Sequence, residues 1–185
     1  MDLMLLRMFQ RQIAFQCQGI LIATTQINGL LQQPSANQAE LWIAVQSLLT
    51  SAANISKACW GQGGKYEKER QPLRRSLKIT KKSPLRKVWT RNRFDHYDEA
   101  LDDWWQKSKN RNHLDMMIGP PSMVKGFANV ERFRVLDPTT MNLIFWGRAF
   151  NLQKVVSEAE RVLAIAAMEA AKPHWDPSKM SGGGQ

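Results

Sequence analysis

Arg91, Asn92 and His96 stand within six positions of one another in the stretch RNRFDHYDEALDDWW. A histidine with an ordinary pKa of about 6.5 gives or takes a proton near neutrality, and such general acid–base action contributes about 10²–10⁴-fold to a rate. An arginine offers permanently charged donors in a planar fork that matches a phosphate. Together the two suit a phosphodiester carrying its own nucleophile, as RNA does in its 2′-hydroxyl: the protein then only moves protons and stabilises charge on the phosphorane oxygens. That chemistry requires no metal and leaves a 2′,3′-cyclic phosphate and a 5′-hydroxyl. Asn92, one helical turn before His96, can orient the imidazole or bond a phosphate oxygen.

The element that must hold these residues is predicted to be a helix over 84–107. Ser83 can cap free amides there, and Pro84 loses no bond at a first helical position. At 100° per residue, Leu85, Trp89, Asn92 and His96 share one stripe, while Phe94, Tyr97, Leu101 and Trp105 fall nearly opposite. One apolar face serves the chain's own core, and the other needs a cover, which a two-fold homodimer would supply. Arg91 and His96 differ in direction by about 140° and converge poorly within one chain. Across a two-fold axis, His96 of one copy approaches Arg91 of the other.

Around this helix the pattern predicts a mainly α single domain, a bundle of four to five helices with a short β-hairpin before the last. Leu6, Phe9, Ile13, Cys17, Ile20, Thr24, Ile27 and Leu31 make one stripe of a first helix ending near Gly29. Leu41, Val45, Leu48, Ala52, Ile55 and Cys59 make a second, started by a box-like Asn37 and Glu40. Residues 61–83 are expected to form a mobile basic loop with at most one helical turn, and 116–122 a loop. The segments ERFRVL and MNLIFWG flank a turn at 137–140 and read as the hairpin. Asn151 caps a last helix whose apolar face holds Leu152, Val155, Val156, Ala159, Leu163 and Ala166, stopped by Pro173. The domain should span 1–176, with a disordered tail over 177–185.

Charge points to the partner. The 185 residues carry a formal net charge of +10, which favours a polyanion. Arg74, Arg75, Lys78, Lys81, Lys82, Arg86, Lys87 and Arg93 crowd the approach to the motif and are the candidate RNA-backbone contacts, positioning RNA without reading its sequence. Cys17 and Cys59 are too few for a disulfide framework and lack zinc spacing, so a reduced cytoplasmic location is the default. The first apolar stretch is interrupted by Arg7, Arg11 and several glutamines, so neither a signal peptide nor a membrane span is expected there.

The plain alternative for Arg91 and His96 is a solvated helix face, with His96 beside Trp89 and Arg91 paired to Asp95. Asp95, Asp98, Glu99, Asp102 and Asp103 spread around the helix and read as a solvated acidic face, not metal ligands. His113 and His174 read as surface residues, and the tryptophans as core. No cofactor is implied.

Arg91-Asn92-x-x-x-His96 on a helix resembles the R-N-x-x-x-H motif of the HEPN superfamily, all-helical domains that include metal-independent endoribonucleases and many prokaryotic toxins and antiviral effectors. The order of helices resembles that family too; the segment 131–147 lies outside its minimal pattern. The resemblance implies catalysis by Arg91 and His96 with Asn92 beside them, in a composite cleft between two protomers. It also implies a toxin or antiviral role and an antitoxin protein as a possible partner. The reading from another class is a catalytically inactive HEPN-like module that binds RNA or protein.

Overall fold

Helix α1 (Leu3–Leu31) starts where the Asp2 carboxylate accepts the Leu5 amide at 3.2 Å. It passes the predicted stop at Gly29 because Leu30 and Leu31 still pack on the core. The computed structural model describes residues 1–33, 37–86 and 96–175. Helix α2 (Gln38–Trp60) is capped as its sequence predicts: Asn37 accepts the Ala39 amide at 3.0 Å and donates to Glu40 at 3.2 Å. All six residues of its predicted stripe are buried. The two helices meet closely at Gly19, where a β-carbon would lie 2.8 Å from the Ser51 hydroxyl. Helix α5 (Leu152–Ala170), capped by Asn151 accepting from Lys154 N at 2.9 Å, completes a three-helix core. Val162 is buried and the predicted Leu163 only half-buried, a rotation of one position.

The basic segment 61–83 is not a mobile loop. A 3₁₀ turn, Gln62–Gly64, leads to helix α3 (Gln71–Ser76), and Leu73, Leu77 and Ile79 are buried in the core. Lys78 takes the left-handed conformation at φ 52°, and the amide of Ile79 bonds back to the Arg74 carbonyl at 2.9 Å. This is a Schellman-type ending, which sends Ile79 inward and Lys78 outward.

The predicted single helix over 84–107 is also corrected. Ser83 accepts the Leu85 amide at 3.3 Å at the start of a 3₁₀ turn, Pro84–Arg86, and donates its own proton to Glu158 at 2.8 Å. Helix α4 begins at Tyr97 and ends at Lys107 (Tyr97–Lys107). His96 stands just outside it at φ −110°, ψ 50°, and Asp98 and Glu99 place negative charge in the first turn, where the helix dipole favours it.

Helix α4 lies on a sheet that the sequence showed only in part. Strands β1 (Met117–Ile118), β2 (Arg134–Asp137), β3 (Asn142–Phe145) and β4 (Arg148–Asn151) pair in that order, β1 parallel to β2 and the others antiparallel. The predicted hairpin is β2–β3. Trp146 and Gly147, at φ 53° and 70°, make the tight second turn, in which two consecutive positive φ values match the strand twist. Leu136 and Leu143, paired across β2 and β3, enter the helical core.

Phe133 joins α4 to this sheet. Its ring lies 6.1 Å from Tyr97, 5.9 Å from Trp104, 4.2 Å from His113 and 4.3 Å from Trp146. The inward side of α4 is therefore Tyr97, Ala100 and Trp104, whereas the predicted anchor Trp105 is exposed beneath the Arg111 guanidinium at 3.7 Å. Phe94 and the tail over 177–185 lie outside the described residues. Phe133→Ala should cost about 3–5 kcal/mol of stability in urea unfolding, and the near-ultraviolet signal of the tryptophans should weaken.

Candidate nucleic-acid interface

Glu67 and Arg74 organise the basic segment. Arg74 is buried, and its two terminal nitrogens donate to the carbonyls of Cys59 and Glu67, each at 2.5 Å. Its guanidinium also lies 5.6 Å from the Trp60 ring. The Cys59 carbonyl belongs to the last turn of α2, which leaves its oxygens without helical partners, so a cation there is favoured by both hydrogen bonding and the helix dipole. Glu67 meets Lys81 at 3.3 Å and Arg86 at 3.2 Å. Its carboxyl is held below the usual range by the hydrogen bond from Lys81, against some desolvation, with the nearby charge of Arg86 adding to the effect.

The predicted RNA contacts therefore separate by role. Arg74 is spent on the fold, and Arg86 is half-buried against Glu67. Arg75, Lys78, Lys81 and Lys82 are exposed, as are Lys65 and Lys68 at the other end of the segment. An open cavity of about 470 Å³ among Lys65, Lys68, Arg74 and Lys81 also carries Glu67 and Glu69. Lys87 and Arg93 lie outside the described residues, and so do the catalytic candidates Arg91 and Asn92. Sequence alone had no signal to tell Arg74 from Arg75. The nearest was the apolar spacing of Leu73 and Leu77, which places position 74 beside the buried side of a short helix.

His96 is exposed, and its Nδ1 lies 3.1 Å from Glu99 Oε1. A carboxylate accepting at Nδ1 fixes the tautomer that leaves Nε2 as proton acceptor, the state a general base needs. The two cysteines are poorly placed as nucleophiles: burial pushes the thiols of Cys17 and Cys59 up to about 12, so both stay protonated near neutrality. Among the described residues no cluster of three or more His, Cys, Asp or Glu suits a metal ion, and no helix is long and apolar enough to cross a membrane. No family model, curated protein or solved structure matches the chain.

Neighbouring arginines should thus behave oppositely. Arg74→Ala should lower unfolding free energy by about 2–4 kcal/mol, because two buried carbonyls lose their donor, whereas Arg75→Ala should stay within about 0.5 kcal/mol of wild type.

Acid should expose the carboxylates. A hydrogen bond from the Lys81 side chain lowers Glu67, one from the Ser108 hydroxyl lowers Glu131, and one from the Thr140 hydroxyl lowers Asp137. Groups with depressed folded-state values contribute stability that is present above the ordinary carboxylate range and lost as pH falls through the folded values. The melting temperature should therefore hold from neutrality to about pH 5 and drop below about pH 4. Glu131→Gln, followed by thermal melts, should reduce that acid loss.

Proposed function

We propose that the chain is an RNA-binding protein that grips the phosphate backbone through Arg75, Lys78, Lys81 and Lys82, and that His96 makes it a metal-independent endoribonuclease. The observation that carries the reading is the fold of the basic segment. Leu73, Leu77 and Ile79 are buried while Arg75, Lys78, Lys81 and Lys82 face water, so these charges form a fixed array instead of a solubilising tether. An array already ordered costs less conformational entropy on binding than a loop that must be immobilised. The ligand matched by such an array is a chain of phosphates.

Catalysis is supported by the carboxylate at His96 Nδ1 and by the resemblance of Arg91-Asn92-x-x-x-His96 to the HEPN motif. In this reading Nε2 of His96 takes the proton of the 2′-hydroxyl as its oxygen attacks the adjacent phosphorus. Arg91 stabilises the charge on the phosphorane, and the 5′-oxygen leaves as it takes a proton from solvent water. His96 is not buried, so its fixed tautomer rests on one exposed hydrogen bond to Glu99.

The test uses labelled single-stranded RNA in EDTA. Wild type should cut to a 2′,3′-cyclic phosphate, and His96→Ala should cut about 10²–10⁴-fold more slowly with unchanged affinity. Replacing Arg75, Lys78 and Lys82 together by alanine should weaken binding uniformly across sequences and reduce the salt slope by about two. Cutting that needs a metal, or that survives both His96→Ala and Arg91→Ala, removes the catalytic assignment. Salt-sensitive binding without cutting leaves the non-catalytic HEPN-like binding module, and no binding overturns the reading.

A further inference from the structure

Helix α1 is apolar on two sides, and only one of them faces the core. Ile13, Cys17, Ile20 and Ile27 are buried, whereas Met4, Met8, Phe15 and Ile22 are each more than half exposed. At 100° per residue these last four fall within about 40° of one another, on the side away from the buried stripe. On α2, Ile43 is exposed to the same degree. Two open hollows of about 440 and 470 Å³ flank Ile43; Gln26, Gly29 and Leu30 of α1 line one, and Gln46, Ser47 and Thr50 of α2 line the other. Apolar knobs and adjoining hollows thus occupy one continuous surface. Contiguous apolar patches beyond a few hundred Å² are uncommon on monomers.

The charges on this surface say what fits it. The first 60 residues contain only Asp2, Arg7, Arg11, Glu40 and Lys57 as charged side chains, a net +1, so +9 of the net +10 sits elsewhere. Depletion of charge with enrichment in Met, aromatic residues and Arg is the composition of an interface centre. Two identical cationic chains can meet here without opposing their basic segments. Arg7 is buried against Glu169, whereas Arg11 and Glu40 are exposed beside the apolar knobs.

These two charges stand at opposite ends of the α1–α2 pair. Gly19 lies beside Ser51, and Gln16 accepts from Asn54 at 3.4 Å, so α1 and α2 run antiparallel and Glu40 is level with Leu30, with which it lines a hollow. Arg11 lies about 28 Å from that level along α1. A two-fold axis lying in the interface and crossing both helices reverses their direction in the second copy. It sets each arginine at the level of the other copy's glutamate, one opposite-charge pair at each end, and Ile22 and Gly19 near the centre.

We infer that a second copy of this chain covers the α1–α2 face, with the helices antiparallel and Arg11 of each copy beside the partner's Glu40. This surface is separate from the seam that the sequence suggested on the motif helix, and it stands whether or not the chain binds RNA. Sedimentation equilibrium of the full chain over a wide concentration range should show a reversible dimer. Ile22→Lys and Phe15→Glu should each raise its dissociation constant about 30-fold or more, with the circular dichroism of wild type, since both side chains face water in one copy. Arg11→Glu and Glu40→Arg should each weaken the dimer, and the two combined should restore it; loss of folding cannot mimic such a rescue. A monomer at every concentration, a dimer indifferent to Ile22→Lys, or a charge-swapped double variant no tighter than either single one would overturn the inference. So would a face that binds only an unrelated protein or a lipid vesicle.

Discussion

The guanidinium of Arg74 fixes the relation between the helical core and the basic segment. It donates both to the end of α2, at the Cys59 carbonyl, and to the turn that follows, at the Glu67 carbonyl. Burying a cation is unfavourable unless its donors are satisfied, and here two carbonyls and the Trp60 ring supply the compensation. Once Arg74 is held, Leu73 and Leu77 have only the core to enter, and the Schellman ending directs Lys78 outward. The exposed cations are thus placed by one that is not exposed. A lysine at position 74 would keep the charge and lose the fork that spans both carbonyls.

A second buried arginine ties the other end of the same segment. Arg7 donates to Gln10 at 2.8 Å, to the Pro173 carbonyl at 3.2 Å and to Glu169 at 3.3 Å, and Gln10 in turn donates to the Ser76 hydroxyl at 2.8 Å. This chain of bonds joins the start of α1, the end of α5 and the end of α3. Polar networks of this kind are costly when partly satisfied and specifying when complete. Here every link but the one from Arg7 to Gln10 connects elements distant in sequence, so the network selects one arrangement of α3 against the bundle.

What the sequence made legible follows from how local each signal is. The stripes of α1, α2 and α5 and the caps at Asn37 and Asn151 are read within one helix, and those helices form where the pattern puts them. The β2–β3 pair was legible from its β-branched residues around a turn, whereas β1 has only Met117 and Ile118, too short to show a period, and β4 runs directly into a helix cap. The motif helix was misjudged because its apolar residues were assigned to faces on the assumption of a bundle. Phe133, about 30 positions away, instead draws Tyr97 and Trp104 to the sheet, and no periodicity within 84–107 could reveal that. Of the candidate site, the density of cations was legible and their division between fold and surface was not. Arg74 and Arg75 are identical in the sequence and differ only in which carbonyls lie within reach.

The position of His96 follows from the same competition between local and distant contacts. The aromatic cluster pins α4 from Tyr97 onward, and the acidic first turn favours a helix that begins there, so the imidazole stands at the junction between a fixed helix and the segment before it. A histidine inside a helix is aimed by the helix. One at its start is aimed by what its ring bonds, here Glu99 one turn on. The acidic residues of α4, which resemble a metal cluster in the sequence, thereby divide in role: Glu99 holds the imidazole, and Asp103 pairs with Lys107 at 2.9 Å. The chemistry available at His96 therefore depends on a carboxylate that the helix geometry supplies three residues away.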